Sequence, residues 1–230
     1  MPAYDENIEA RVDREIAAFL EEEYAAQGED LYQWYRYKFI AANNKRLTST
    51  IGLAHYDKAI VRFVLQACPF ATRFVEIGAG VAQESMLIAL HGLPAFGVDT
   101  TPAHIEMMKR LRERLAERLD SGLLERMTPV YDWYPNRAEE YVDAGTVLVF
   151  PTLSASTTPE QDIKILDMMK LAGGVILSME HFFRTRTPEQ QEALLSEIRS
   201  RGFDKPVEVF AWGNGDMGFS ANRIVFLKRL

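Results

Sequence analysis

Side chains able to bind a charged small molecule occur where a predicted strand ends and a helix begins. The stretch "RFVEIGAGVAQES" places Glu76 two residues before Gly78, and Gly80 follows Ala79. Glycine in such a turn lets a ligand approach the main chain with no Cβ in the way. The first turn of the following helix offers unpaired N–H groups and a partial positive charge to a carboxylate or phosphate. The stretch therefore predicts a small-molecule site with one acidic side.

The spacing of this motif favours an amino-acid-bearing nucleoside over a dinucleotide. A dinucleotide fingerprint needs a third glycine three residues after Gly80, and Gln83 stands there. Glu76 favours the same choice, because its carboxylate would repel a pyrophosphate and attract an ammonium group. A nicotinamide-dependent oxidoreductase is therefore the less favoured function.

Two more acids end the next predicted strands. Asp99 closes "AFGVD", and Asp132 follows "MTPVY" with Trp133 directly after it. In an open α/β sheet, ligands bind at the carboxyl ends of the strands, where the strand order reverses. The sequence therefore places Glu76, Asp99 and Asp132 at one edge of the sheet, and the flat Trp133 ring suits a purine.

Short apolar runs alternate with helical patterns from Arg73 onward, and these elements must position the acids. The alternation predicts an α/β fold with a doubly wound, mostly parallel, seven-stranded sheet. The runs "PVEVFAW" and "NRIVFLKRL" have no helix between them. They predict a C-terminal antiparallel hairpin at the sheet edge.

"VEIGAGVA" followed by "GVD" resembles motif I and its successor in class I S-adenosylmethionine-dependent methyltransferases. The order of elements from Tyr56 to Leu230, with its final hairpin, is also similar to that family. The resemblance implies a Rossmann-like fold, S-adenosylmethionine as cofactor and S-adenosylhomocysteine as product. Ala82 departs from the pattern, since the family often has a third glycine there.

The resemblance also implies a role for each acid. Glu76 would lie near the methionine ammonium, with the glycine turn beneath the methionine. Asp99 would take both ribose hydroxyls, and Asp132 would accept from the adenine amino group, with Trp133 beside the ring. A surface loop acid is the alternative role for Asp132. The cofactor-binding residues implied in this way are Glu76, Gly78, Ala79, Gly80, Asp99, Asp132, Trp133 and Phe150.

Three helical patterns precede the sheet and are expected to cover the acceptor. They span residues 5–27, the stretch "LYQWYRYKFIAANN", and His55 to Ala67. We expect residues 1–54 to form an N-terminal helical lid that recognises the substrate. Residues 55–230 then form the cofactor-binding catalytic domain.

The candidate substrate residues come from these helices and from one strand end. Tyr32 and Tyr37 fall off the apolar stripe of the second helix, and His55 and Tyr56 open the third. His181, in "SMEHFF", ends the fifth predicted strand, where it could take a proton from an attacking hydroxyl or amine. Packing of the aromatic residues and a structural histidine are the alternatives, and Glu180 is a second candidate base.

The fourth predicted strand and the charge pattern bear on the acceptor. The strand ends "VFPTLSAS", not the Asn-Pro-Pro-Tyr type of ending used for exocyclic amines of bases, so base methylation is disfavoured. The net charge of −7 comes without a basic patch, so we expect no nucleic-acid partner. The run "KRLRERLAERLD" is interpreted as a solvated helix face.

The remaining composition excludes several classes of protein. No apolar run approaches the length of a membrane span, so no membrane partner is expected. Cys68 is the one cysteine, which fits a reducing cytoplasm, and the four histidines have no metal-binding spacing, so no metal is expected. A homodimer is one assembly that the sequence allows.

The function favoured by these observations is methyl transfer to a small-molecule acceptor by in-line displacement. The attacking atom is oxygen, nitrogen or carbon. A non-catalytic S-adenosylmethionine-binding regulatory module and a protein methyltransferase remain as alternatives.

Overall fold

The computed structural model describes residues 3–27, 53, 55–134, 136–150, 159–178, 187–204, 206–212 and 222–230. The strands in this part of the chain are β1 Arg73–Ile77, β2 Ala95–Asp99, β3 Met127–Tyr131, β4 Thr146–Phe150, β5 Gly174–Ser178, β6 Val207–Trp212 and β7 Asn222–Lys228. The helices are α1 Glu6–Gln27, α2 His55–Ala67, α3 Gln83–Leu90, α4 Pro102–Arg118, α5 Leu123–Arg126, α6 Pro159–Met169 and α7 Pro188–Ser200, with a 3₁₀ turn at Ala138–Glu140.

The seven strands form one sheet in the order β3-β2-β1-β4-β5-β7-β6. Strands β1 to β5 are parallel, and β7 is antiparallel to both β5 and β6. The predicted doubly wound sheet and its C-terminal hairpin are confirmed. The strand order reverses between β1 and β4, and in such sheets the crevice at the reversal is where ligands bind.

The central strands are continuous apolar runs because helices cover both faces of the sheet. All five residues of β4 are buried. One hydrophobic cluster joins the sheet to α1, α2, α3 and α4, and a second joins its other face to α6 and α7. The sheet is therefore the middle of three layers, and its strand ends form one edge between the helical layers.

Helix α1 belongs to the helical layer and shares its core. Its apolar stripe, predicted from the spacing of three and four, is buried against α3 and α4 at Val12, Ile16, Phe19 and Leu20. No helix among the described residues is long and apolar enough to cross a membrane.

Ion pairs join the acidic side of α1 to its neighbours. The pairs with α4 are Arg110 with Glu23, Arg114 with Glu15 and Glu22, and Arg118 with Glu15. The pairs with α2 are Lys58 with Glu9 and Asp13, and Arg62 with Glu6 and Glu9. The interpretation of the α4 charges as a solvated face therefore holds for Arg110 and Arg118, which stay exposed, but not for Arg114, which α1 largely covers.

Candidate functional site

The glycine turn after β1 is fixed to β2 by main-chain hydrogen bonds. The N–H groups of Gly78 and Ala79 donate to the carbonyl of Val98 at 2.9 and 3.1 Å. Gly78 and Gly80 have φ angles of 68° and 59°. This left-handed conformation favours glycine, so the turn needs both glycines for its own shape as well as for close approach of a ligand.

Ala82 has the same left-handed conformation, with φ 58° and ψ 50°, and is the N-cap of α3. A side chain in this conformation costs about 1–2 kcal/mol, because the Cβ approaches the following carbonyl oxygen. Gly97 of β2 makes room for it, since a Cβ on Gly97 would lie 2.6 Å from the Cβ of Ala82. A glycine on the neighbouring strand therefore leaves room for the Ala82 side chain, at a position where the resembled family often has glycine.

Glu76 is fully buried and holds the start of α3. Its Oε2 accepts from the main-chain N–H of Ser85 at 3.0 Å and from the Ser85 hydroxyl at 2.9 Å. Ala82 has no side chain able to cap the helix, so a carboxylate from β1 does so. Glu76 thus has a structural role that the sequence motif did not indicate.

Asp99 joins three parts of the site. Its Oδ2 accepts from the N–H of Gly80 at 2.9 Å, and its Oδ1 accepts from the N–H of Thr101 at 2.8 Å. Nδ1 of His104, on the first turn of α4, lies 3.1 Å from Oδ1. Burial acts to raise the pKa of Asp99, but the hydrogen bonds from His104, Gly80 and Thr101 outweigh it and lower the pKa. The carboxylate is therefore held in its charged form.

Asp132 is held by the segment that follows β3. Its Oδ2 accepts from the Tyr141 hydroxyl at 2.7 Å and from the N–H of Arg137 at 3.2 Å. Its main-chain N–H donates to the carbonyl of Asp99 at 3.1 Å, so the two predicted site acids are joined directly. Burial and the bond to Asp132 raise the pKa of Tyr141 above its usual value, so the phenol remains a donor.

The aromatic residues at this edge separate into one exposed ring and two buried ones. The Trp133 side chain is 64% exposed, so its face is open to a ligand. Tyr134 and Phe150 are buried and pack edge to face, with ring centroids 5.4 Å apart. Burial raises the pKa of Tyr134. Phe150 therefore lies beneath the surface of the site, packed on its neighbour.

Tyr56 lies in a strongly acidic environment close to Glu76. Burial and the charges of Asp57, Glu84 and Glu76 raise the pKa of Tyr56 well above its usual value. Asp57 and Glu84 are themselves buried, and no sequence pattern indicated either of them. The predicted contact Tyr56 is thus brought to the same end of the site as Glu76.

Other predicted residues lie outside the described part of the chain. Tyr32, Tyr37 and His181 belong to undescribed segments, and of His55 only the main chain is described, as the first residue of α2. Two residues that the structure adds to the site are His104 and Tyr141, which contact the predicted acids. Within the described ranges, no group of three or more His, Cys, Asp or Glu side chains could hold a metal ion.

Comparison by sequence gives no relatives, whereas comparison by structure gives many. No protein-family model matches the chain, and no curated protein matches it. The magnesium protoporphyrin IX methyltransferase ChlM from Synechocystis PCC 6803, solved with bound SAM, superposes with TM-score 0.59 and 16% identity over 99% of each chain. This is the class I S-adenosylmethionine-dependent methyltransferase fold.

Two further structures with the methyltransferase fold cover about three quarters of this chain. TrmK from M. capricolum, in complex with S-adenosyl-homocysteine, has TM-score 0.53 and 10% identity over 77% of this chain and 69% of its own. The methyltransferase domain of the bacterial CtHen1-C has TM-score 0.57 and 12% identity over 76% of this chain and 96% of its own. The resemblance noted in the motif at Glu76 and Gly78 is therefore confirmed at the level of the fold.

Proposed function

We propose that this protein is an S-adenosylmethionine-dependent methyltransferase that acts on a small molecule. The observation that carries the proposal is a row of three buried carboxylates, Glu76, Asp99 and Asp132, at the ends of neighbouring strands and linked through the turn at Gly80. S-adenosylmethionine presents hydrogen-bond donors in the same order, namely an ammonium, two ribose hydroxyls and an adenine amino group. The acceptors therefore fit this cofactor, and the exposed Trp133 ring fits beside its adenine.

The chemistry needs alignment more than covalent help from the protein. The bound cofactor supplies a methyl group on a positively charged sulfur that is already a good leaving group. The row of acids would hold the cofactor fixed, so that the attacking atom of the acceptor can be placed in line with the methyl carbon and the sulfur. Alignment of this kind can lower a barrier by about 7–11 kcal/mol, which is enough for most of the rate acceleration.

The acceptor also loses a proton when its attacking atom is a hydroxyl or an amine. His181 is our candidate for the base that takes this proton, with Glu180 as the rival, because both come within three residues of the end of β5 in the sequence. For an acceptor that attacks without losing a proton, neither residue is needed.

A small-molecule acceptor is supported by the charges of the described residues and by the extent of one structural likeness. The basic residues Arg110, Arg114 and Arg118 are paired with α1 and are not presented as a row for phosphates. ChlM, named for a porphyrin acceptor, aligns over 99% of this chain. The two neighbours named for RNA or tRNA align over 76% and 77% of this chain.

RNA is the second candidate acceptor, because two structures with this fold are named as a putative RNA methyltransferase and a putative tRNA (m1A22) methyltransferase. The expectation that no nucleic acid is a partner is therefore a proposal that needs its own test. We also place the protein in the cytoplasm, since Cys68 is a free, buried thiol.

The same proposal assigns substrate recognition to residues 1–54, and cofactor binding and catalysis to residues 55–230. Helix α1 runs antiparallel to α4, because Glu15 meets Arg118 and Glu23 meets Arg110. Its last turn therefore lies nearer the carboxyl edge than its first. Since α1 itself packs into the core, we assign acceptor recognition to residues 28–54, which contain Tyr32 and Tyr37.

Calorimetric titration tests the cofactor first. We expect S-adenosylhomocysteine to bind and NADH to give no heat. Asp99→Ala should weaken binding by about 1–3 kcal/mol, since charge-assisted hydrogen bonds are lost. Glu117→Ala removes the same charge from the exposed far end of α4 and should change nothing. Binding of NADH without S-adenosylhomocysteine would overturn the proposal.

Transfer of a radiolabelled methyl group then separates the acceptor classes. The purified protein is incubated with labelled S-adenosylmethionine and, in separate reactions, a porphyrin and phenol panel, bulk tRNA, or a cell protein extract. Label in the small-molecule fraction supports the proposal, and label in tRNA or protein replaces it with the corresponding activity. Binding of the cofactor with no transfer to any class would indicate the regulatory module.

A further inference from the structure

The two carboxylate oxygens of Asp99 have unequal surroundings. Oδ1 accepts from the N–H of Thr101 at 2.8 Å and lies 3.1 Å from Nδ1 of His104, whereas Oδ2 accepts from the N–H of Gly80 at 2.9 Å. The lowered pKa of Asp99 keeps the carboxylate ionised, and each oxygen of an ionised carboxylate has about two acceptor positions. Among the described residues, Oδ1 therefore has a neighbour for each of its positions, and Oδ2 has one position left for a ligand.

The two main-chain partners of Asp99 are fixed by the fold. Gly80 is buried, and its turn is bonded to the carbonyl of Val98 through two N–H groups. Thr101 is the N-cap of α4, and its carbonyl accepts the N–H of His104 at 3.0 Å. A ligand that displaced either N–H group from Asp99 would leave a polar group unpaired, which is costly inside a protein. These two acceptor positions therefore stay filled when a ligand binds.

The third neighbour of Asp99 is a side chain, the imidazole ring of His104. The side chains of His104 and Asp99 are only 15% and 8% exposed, so the ring has little free space into which it could move away. A ribose hydroxyl that donates to a carboxylate oxygen needs its own oxygen about 2.7 Å away. It cannot take the position beside Oδ1 that Nδ1 already occupies, whichever ring nitrogen carries the proton.

We propose that the ring of His104 limits Asp99 to one of the two ribose hydroxyls of the cofactor, which Oδ2 accepts. The other hydroxyl then has no acceptor on Asp99. The family resemblance implied that Asp99 takes both hydroxyls, whereas the surroundings of Oδ1 support one. His104 acts on the ligand through Asp99, as a positioning residue, and makes recognition of the ribose depend on a single hydroxyl. This inference rests on the proposed function.

Calorimetric titration of the purified protein with S-adenosylhomocysteine and with its 2′-deoxy and 3′-deoxy analogues tests the inference. We expect the wild type to bind one analogue within about twofold of the parent compound. The other analogue should bind at least about tenfold more weakly, since it loses a hydrogen bond to a charged group. A loss of about tenfold or more for both analogues would show that Asp99 takes both hydroxyls, and would overturn the inference.

Two variants of His104 separate the space that the ring takes from a general structural role. His104→Ala opens the second position on Oδ1, so the second hydroxyl gains an acceptor. The analogue that the wild type tolerates should then bind at least about threefold more weakly than S-adenosylhomocysteine. His104→Phe keeps a ring in the same place and should retain the wild-type pattern. A structural role alone would not create this new discrimination between ligands.

Glu106→Ala is the matched control, because it shortens a 60% exposed side chain two residues further along α4 and should leave the pattern of the wild type unchanged. The inference is overturned if His104→Ala shows the wild-type pattern, if His104→Phe behaves like His104→Ala, or if neither analogue loses affinity in the wild type. In each of these cases S-adenosylhomocysteine still binds and the proposed function stands. No binding of S-adenosylhomocysteine by the wild type would instead reject the proposed function.

Discussion

The carboxylate of Glu76 accepts both the main-chain N–H and the hydroxyl of Ser85, at 3.0 and 2.9 Å, nine residues further along the chain. One acid near the end of strand β1 therefore caps helix α3, and it is also our proposed contact for the methionine end of the cofactor. The helix cap and the cofactor contact are separable, because Ser85 takes part in the first and not in the second.

Glu76→Gln and Ser85→Ala separate these two roles. Both should lower the free energy of unfolding by about 1–2 kcal/mol, since each removes a buried hydrogen bond or a charge at a helix N-terminus. Only Glu76→Gln should weaken S-adenosylhomocysteine, and neither should weaken 5′-methylthioadenosine, which has no ammonium group. Urea denaturation and calorimetry provide the two measurements. If Ser85→Ala weakened S-adenosylhomocysteine equally, Glu76 would act on the ligand through the helix alone.

Ala82→Gly should stabilise the protein, because alanine is strained in the left-handed conformation that residue 82 adopts. Relief of about 1–2 kcal/mol is offset in part by the greater freedom of glycine in the unfolded chain, which leaves a gain of about 0.5–1 kcal/mol. Ala79→Gly, in the same turn, lacks a positive φ and should destabilise. Thermal unfolding of the two variants is the comparison, and equal signs would contradict the strain at Ala82.

Gly97→Ala should destabilise through overpacking between β2 and the start of α3. Its Cβ would lie 2.6 Å from the Cβ of Ala82 and 3.0 Å from Cε of Met127. A cost of about 1–3 kcal/mol is typical of an added methyl group in a packed core. Ala82→Gly in the same chain removes the closer contact, so the double variant should recover part of the loss. Strict additivity in unfolding free energy would show that residues 82 and 97 do not press on one another.

Tyr141→Phe should loosen the proposed adenine contact, because among the described residues Asp132 Oδ2 then retains the N–H of Arg137 at 3.2 Å. We expect about a three- to tenfold loss of affinity. This is less than the about 1.5–3 kcal/mol of one hydrogen bond to a charged group, because Tyr141 acts on the ligand only through the position of Asp132. The loss should be the same for S-adenosylhomocysteine and 5′-methylthioadenosine, since both carry adenine. Tyr131→Phe, on a 59% exposed side chain of β3, is the control. A loss confined to the longer ligand would count against Asp132 as the adenine contact.

Much of the fold could be predicted from the sequence, because the patterns that indicate it involve residues close together in the chain. The alternation of apolar runs and helices, the glycine turn and the acids at the ends of β1, β2 and β3 all follow from a few neighbouring residues. The sheet order confirms the alternation. The short helix α5 was not predicted, because four residues cannot display a helical period. The N-terminal arrangement was harder, since the pairing of Glu22 with Arg114 joins residues 92 apart in sequence.

The residues that hold the site acids were missed for a related reason. His104 and Tyr141 reach Asp99 and Asp132 only through the rotation of α4 about its axis and the path of the chain after β3. Residue types and their spacing determine neither the rotation of α4 nor the path of the chain after β3. The same holds for Asp57 and Glu84, whose burial near Tyr56 depends on how two helices pack.

Helix α1 should be held to the domain by its apolar stripe more than by its ion pairs. Ile16 is fully buried, and Ile16→Ala should cost about 2–5 kcal/mol through lost burial and a residual cavity. Arg114→Met keeps the aliphatic stem and removes the pairs with Glu15 and Glu22, which lie near water and are therefore weak. We expect Arg114→Met to lower the free energy of unfolding by less than half as much as Ile16→Ala does. Urea denaturation at low and at 1 M salt separates the two terms, because added salt screens ion pairs and spares buried apolar contacts. A larger loss in Arg114→Met than in Ile16→Ala, abolished by salt, would show that charge pairing is what attaches α1.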